Sequence, residues 1–337
     1  MIPIFRPTIK RRDMDSVLTC MVSDRIGAGI LGDALVGAVS EYLSLAGGVA
    51  LSSYYHCIVA AFDALGCKPA DKVVVSALSP SCYLEALRER GLVPIIVDVE
   101  ADTGCLAASS LVKALDQGPK ALLVHYSLGY IADMEELSRL GVPLIEDLSQ
   151  GLGGNWGTRR CGSYGDLVIV SLEPESIVTC GQGGLLLSRD NRLVRQLGSS
   201  QPVSSLLLSD LNASLGLSQM REIESYIATR KEIARVFSRG LMRSSHKTLV
   251  QKGEGDNVFY SFPVILESGM KAVRQYARKY NIETIQAFSG SICAIENTNS
   301  HFPNARQLML RCLLFPCYPM LGKRNVDTIS KVLTTLP

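Results

Sequence analysis

Between residues 47 and 147, short apolar runs alternate with helical patterns, and this alternation limits the fold more than any other feature of the sequence. The runs are GGVALSS (47–53), KVVVSAL (72–78), VPIIVDVE (93–100), ALLVHY (121–126) and VPLIED (142–147). Helical stretches lie between them: one reaching Ala64, one at 80–90, one at 107–116 with Leu111, Val112 and Leu115 as its apolar positions, and one at 134–140. Strands that are apolar throughout are buried on both faces. Their alternation with amphipathic helices predicts an α/β fold, a mostly parallel sheet sandwiched by helices. In such sheets ligands bind beyond the carboxyl ends of the strands. Ser52, Ser53, His125, Asp147 and Ser171 fall there.

The stretch LIEDLSQGLGGNWGTRRCGSYGDLVIVSLEPESIVTCGQGGLLLS (144–188) reads as three apolar strands separated by glycine-rich turns. Asp147 closes the first strand, Ser171 the second, and Gly183-Gly184 opens the third. A carboxylate at a buried strand end is costly unless it meets a cation or donor, which makes Asp147 a site candidate. The plainer reading is scaffold: an aspartate capping local amides and a serine satisfying its own turn. No lysine occurs between Lys120 and Lys231.

Beyond this stretch, Leu211 to about Leu241 carries helical periodicity in Leu215, Ile223, Ile227 and Ile233 and predicts one long bridging helix. FYSFPVIL (259–266), the IET segment (282–284) and FPCY (315–318), with helices at 269–280, 303–312 and 324–335, predict a smaller α+β domain. The expected division is 1–235 and 236–337, within the range that 337 residues allow. An apolar content of 47% with 20% charged residues excludes a disordered chain. A net charge of +2 gives no reason to expect nucleic acid or an acidic membrane surface. No apolar run has signal-peptide or membrane-spanning length, so a cytoplasmic protein is expected. The 10 cysteines form no CxxC pair and no finger-like spacing, which points to reduced structural thiols and no metal site.

Taken together, the segments resemble the DegT-type sugar aminotransferases (DegT/DnrJ), fold type I enzymes that use pyridoxal phosphate (PLP). IPIFRPTI is similar to that family's opening, and SDRIGAGILGDALVGAVSEYL to its glycine-containing loop and first helix. ALGCKPADKVVV, PIIVDVEADTG, GYIADMEEL, IEDLSQGLGG, YGD, VSL, GQGG, the segment from LSDLNASLGL to KEIA, and LLFPCYPML follow in family order. The resemblance implies a seven-stranded, mostly parallel large domain, a nucleotide-sugar substrate class and a homodimer.

It also implies residue roles. Asp147 matches the aspartate that pairs with the cofactor's pyridine nitrogen, Gln150 the glutamine beside the ring, and Ser171 a serine on the phosphate. The lysine that forms the Schiff base lies eight residues before the second glycine of the GG pair, and Ser176 stands there. A serine has no amine and forms no aldimine. The phosphate-binding Ser-Gly-Thr turn corresponds to Ser53-Tyr54-Tyr55, two tyrosines in place of the small residues that let backbone approach a phosphate. They either fill the cup or point aside. Pro80 stands where a ring-stacking aromatic is expected, with Tyr83 nearby, and Glu173 and Glu175 add negative charge. His125 is the weak general-base candidate. His56 follows the tyrosines, His246 and His301 sit in polar loops, Trp156 packs at an edge, and Arg159-Arg160 read as a solvated face.

The expectation is a family member that has lost lysine-aldimine transamination and serves as a sugar-nucleotide-binding protein or a partner subunit of an active paralogue. The alternative is an active aminotransferase or dehydratase-like enzyme holding PLP or pyridoxamine phosphate (PMP) without a covalent bond. A purely structural or regulatory protein is the third reading.

Overall fold

A computed structural model describes the chain except for residues 107, 201–203 and 296–301, so His301 lies outside the described residues. Seven strands form the main sheet: β1 (Gly47–Leu51), β2 (Lys72–Ser76), β3 (Val93–Val97), β4 (Ala121–His125), β5 (Leu144–Asp147), β6 (Leu167–Ser171) and β7 (Gly184–Ser188). Their spatial order is β1-β7-β6-β5-β4-β2-β3. All neighbours run parallel except β7, which is antiparallel to both β1 and β6. Every residue of β5, β6 and β7 is buried, as sheet covered on both faces requires.

The two faces follow from the period-two alternation of side chains. One face carries Val74, Leu122, Val124, Val168 and Leu187 and is covered by Leu35, Val39 and Leu43 of α2 (Ile30–Leu43). In turn α1 (Arg11–Val22) packs outside, against the helix Asp210–Met220. The opposite face carries Val73, Val75, Leu123, Ile145 and Ile169. It is covered by α3 (Tyr54–Ala64) through Ile58 and Phe62, and by α4 (Cys82–Glu89) through Tyr83 and Leu87. Adjacent carboxylates therefore part company. Glu146 turns toward the α2 face, where Tyr126 O–H and the amides of Gly162, Tyr164 and Gly165 donate to it at 2.5, 2.8, 2.7 and 2.5 Å. Asp147 turns toward α3 and α4.

A second sheet is three-stranded and antiparallel, ordered β8 (Phe262–Ile265), β10 (Cys312–Phe315), β9 (Ile285–Gln286). Its core joins Phe262, Val264 and Phe315 to Ile233 and Phe237 of the helix Ile223–Leu241 and to Ile329 and Leu333 of the helix Gly322–Thr334. Two strand placements differ from the sequence expectation. Ile282 makes a bridge to Ile2 instead of starting a strand, and the strand begins at Ile285. The helix Pro303–Arg311 runs straight into β10, so the strand lies three residues before the FPCY segment ends.

The long bridging helix is two helices, Asp210–Met220 and Ile223–Leu241, broken at Arg221-Glu222. Tertiary ties outweigh helix continuation there. Gln219, fully buried, accepts from Thr179 N–H at 3.0 Å and donates to Thr8 C=O at 3.2 Å. The Glu222 carboxylate is drawn to Lys10 and Arg12 at 3.1 and 2.7 Å. Among the described residues no helix is long and apolar enough to cross a membrane, and no cluster of three His, Cys, Asp or Glu is placed to hold a metal. All ten cysteines are free thiols.

One close approach fixes where α3 begins. A Cβ on Gly184 would lie 2.8 Å from Cys57 Sγ, 3.0 Å from Val170 O and 3.1 Å from Tyr54 Cα. Gly184→Ala is expected to lower stability by about 1–3 kcal/mol through overpacking, read as a lower urea midpoint with unchanged m.

Candidate active site and its relatives

The carboxyl ends of β4, β5 and β6 bring His125, Asp147 and Ser171 to one edge of the sheet, facing the first turn of α3 and the loop 171–176. Tyr54, Pro80, His125, Ser149, Gln150, Ser171, Glu173, Ser176 and Tyr260 line a cleft of about 320 Å³ there.

Asp147 is fully buried and both its oxygens are engaged. Oδ2 accepts the phenol of Tyr54 at 2.5 Å and the phenol of Tyr83, while Oδ1 accepts Ser149 N–H at 2.8 Å. Burial, reinforced by the Asp147 charge, pushes both phenols well above their ordinary pKa, so they remain donors. The same two causes push the neighbouring Cys82 thiol up to about 12, which leaves it protonated.

The start of α3 is engaged as well. Ser53 caps the helix, accepting His56 N–H at 3.2 Å. The first amide, Tyr54 N–H, donates to the Glu173 carboxylate at 3.3 Å. A helix N-terminus favours an anion, and here the chain supplies its own. The two tyrosines part after this point. Tyr54 lines the cleft and reaches Asp147, and Tyr55 points away to donate to Glu89 on α4 at 2.7 Å. Successive helical residues are about 100° apart, so only one of them can face the sheet edge.

The remaining candidates are tied to local structure. Gln150 accepts Leu128 N–H at 2.6 Å and holds a turn in which Leu128 has φ of 57°. Ser176 O–H donates to Ser171 Oγ at 3.0 Å, and Glu173 N–H donates to the same oxygen at 3.3 Å. His125 Nδ1 pairs with Ser127 Oγ at 2.8 Å, whereas Nε2 is buried with no hydrogen-bond partner among the described residues. Burial lowers the His125 pKa against the opposing pull of Asp147. Away from the cleft, Arg160 stacks on Tyr42 at 4.0 Å and pairs with Glu224, and Arg159 stacks on Tyr164 at 4.1 Å. Trp156 is buried, and His246 bonds the Pro337 carbonyl at 3.1 Å. Tyr260 is the lining residue without a sequence signal: it sits in an irregular segment before β8, and burial together with Glu175 raises its pKa.

Residues 7–334 match the model of the DegT/DnrJ/EryC1/StrS aminotransferase family. The chain belongs to that family. Its sequence is 24% identical over 301 residues to a GDP-perosamine synthase of Caulobacter vibrioides, covering 82% of this chain and 81% of that protein. Its fold is similar to the aminotransferase TlmJ from Streptoalloteichus hindustanus, with a TM-score of 0.91, 24% identity and coverage of 99% and 98% of the two chains. It is also similar to the PMP form of a putative sugar aminotransferase, Spr1654, from Streptococcus pneumoniae, with a TM-score of 0.91, 19% identity and coverage of 99% and 96%.

The residues present do not fit the DegT-family cofactor. Asp147, which the resemblance assigns to a pyridine nitrogen, already holds two phenols. At the start of α3, which the resemblance assigns to a phosphate, Glu173 places a carboxylate. Position 176 offers a hydroxyl bonded to Ser171 instead of an amine.

Two outcomes follow from this geometry. Tyr54→Phe removes one donor from a buried carboxylate and is expected to cost about 1–3 kcal/mol, measured by urea denaturation. His125, with its folded pKa depressed, contributes stability that is complete above its unfolded value of about 6.5 and is lost as pH falls through the folded value. NMR titration is expected to find the His125 midpoint below the ordinary value of about 6.5.

Proposed function

We propose that this chain is a non-transaminating member of the DegT/DnrJ/EryC1/StrS family, working in nucleotide-sugar metabolism as a ligand-binding or partner subunit. The observation that carries the reading is the Tyr54 phenol on Asp147 at 2.5 Å, on the carboxylate that the resemblance assigns to the cofactor's pyridine nitrogen. Ser176 in place of the lysine and Glu173 at the helix start support it independently.

The alternative is an active enzyme with PLP or PMP held without a covalent bond. The presence of Asp147, Gln150 and Ser171 favours it. All three are committed to other groups of the chain, which makes it the weaker reading. A homodimer, or a heterodimer with an active paralogue, is the expected assembly, in the cytoplasm. The division of the chain near residue 235 remains part of the proposal, supported by the separate core around the second sheet.

Purified protein is expected to show no cofactor absorbance, and PLP or PMP added in large excess to shift its thermal midpoint by less than a degree, since a ligand that binds only the folded state must stabilise it. A clear shift, or a visible cofactor band, overturns the reading. The structure also redefines the informative variant. Because Tyr55 points away, the combination is Ser176→Lys, Tyr54→Gly and Glu173→Gln, and it is expected to gain PLP binding where Ser176→Lys alone gains none.

A further inference from the structure

The C-terminal part of the chain carries an excess of positive charge. Residues 236–337 hold 13 lysines and arginines against 6 aspartates and glutamates, whereas residues 1–235 hold 21 against 26. Part of that excess gathers on a groove of about 640 Å³, between the helix Met270–Lys279 and the segment 282–285 that enters β9. Val273 and Ala277 turn the apolar side of the helix to the core. Lys271, Arg274 and Arg278, at intervals of three and four residues, form a row about 10 Å long beside the groove. None of the three has an ion pair or a hydrogen bond among the described residues.

The rest of the lining differs in character. Thr284 is only 7% exposed, yet its hydroxyl is not sealed off from the groove and makes no hydrogen bond among the described residues. Met1 and Ile285 are exposed apolar residues of the same lining. Glu283 is the one acidic group among the described lining residues, and its carboxylate accepts Ile4 N–H at 3.0 Å.

We propose that this groove is a docking site for an extended acidic segment of a partner protein, one with apolar side chains between its carboxylates. The row of cations receives the carboxylates, Thr284 O–H donates to a main-chain carbonyl of the segment, and Met1 and Ile285 cover its apolar side chains. Alternate residues of an extended chain are about 6.6 Å apart, so two or three carboxylates on one side of it match a row of this length. Thr284 lies inside the groove, out of reach of a flat lipid surface. Three cations neutralise too few phosphates for firm nucleic-acid binding. The inference is independent of what the cleft at Asp147 holds.

Fluorescence anisotropy on the full chain tests it, with labelled peptides that alternate glutamate with valine, glutamate with serine, or lysine with valine. The glutamate–valine peptide is expected to bind saturably at low salt and to weaken as salt rises. The glutamate–serine peptide is expected to bind about threefold weaker, and the lysine–valine peptide not at all. Arg274→Gln is expected to weaken the glutamate–valine peptide about threefold, and glutamine at 271, 274 and 278 together about twentyfold. The thermal midpoint stays unchanged, because all three side chains are exposed and unpaired. Thr284→Val is expected to weaken binding about threefold and to leave its salt dependence as it was, since the hydroxyl carries no charge. No saturable binding at millimolar peptide, equal binding of the three peptides, or indifference to the triple variant overturns the inference. So does tighter binding of an oligothymidylate or of phosphatidylglycerol vesicles that the triple variant abolishes, which reassigns the cations to a nucleic acid or a lipid surface.

Discussion

A single buried carboxylate, Asp147, organises the ligand edge of this protein. Taking a charge out of water costs several kcal/mol, and the cost is offset only where donors converge on it. Here the donors come from three places: the first residue of α3, the second residue of α4 and the turn after β5 itself. One charge therefore ties both covering helices to the sheet edge. The other polar groups there follow the same logic on a smaller scale, with Gln150 holding the turn after β4 and Ser171 holding the loop that carries Ser176.

The neighbouring Glu146 shows how one strand serves two purposes. Three of its four donors are amides of the loop 162–165, which it fixes on the opposite face. Two consecutive acidic residues thus have separate tasks, one stabilising a loop and one shaping a cleft. The pleat of β5 separates them.

The main sheet was legible in the sequence because its strands are apolar throughout, a pattern that few other folds produce. The errors lie where distant contacts decided local structure. Nothing near Arg221-Glu222 breaks a helix by propensity; the break follows from Gln219 reaching Thr8 and Glu222 reaching Lys10 and Arg12. The strands at 285–286 and 312–315 were shifted by pairing with each other and by the Ile2–Ile282 bridge. In the cleft, the serine at 176 and the paired tyrosines were readable as departures. What each tyrosine does was not, because a helical step sends one toward Asp147 and the other toward Glu89. Glu173 was visible as a charge, but its target amide is 119 residues away in the chain.

Tyr54 is held at both ends, its backbone amide by Glu173 and its phenol by Asp147. That double anchorage bears on how such a protein changes over generations. A lysine placed at position 176 still meets the Tyr54 phenol on Asp147. A glycine regained at 54 leaves a buried carboxylate short of a donor and a hole beside it. Neutralising Glu173 alone strips the helix start of its anion. Each single substitution thus leaves one of the paired groups without its partner. The cleft therefore resists piecemeal change, because residues 54, 147 and 173 are held by one another across three elements of the fold.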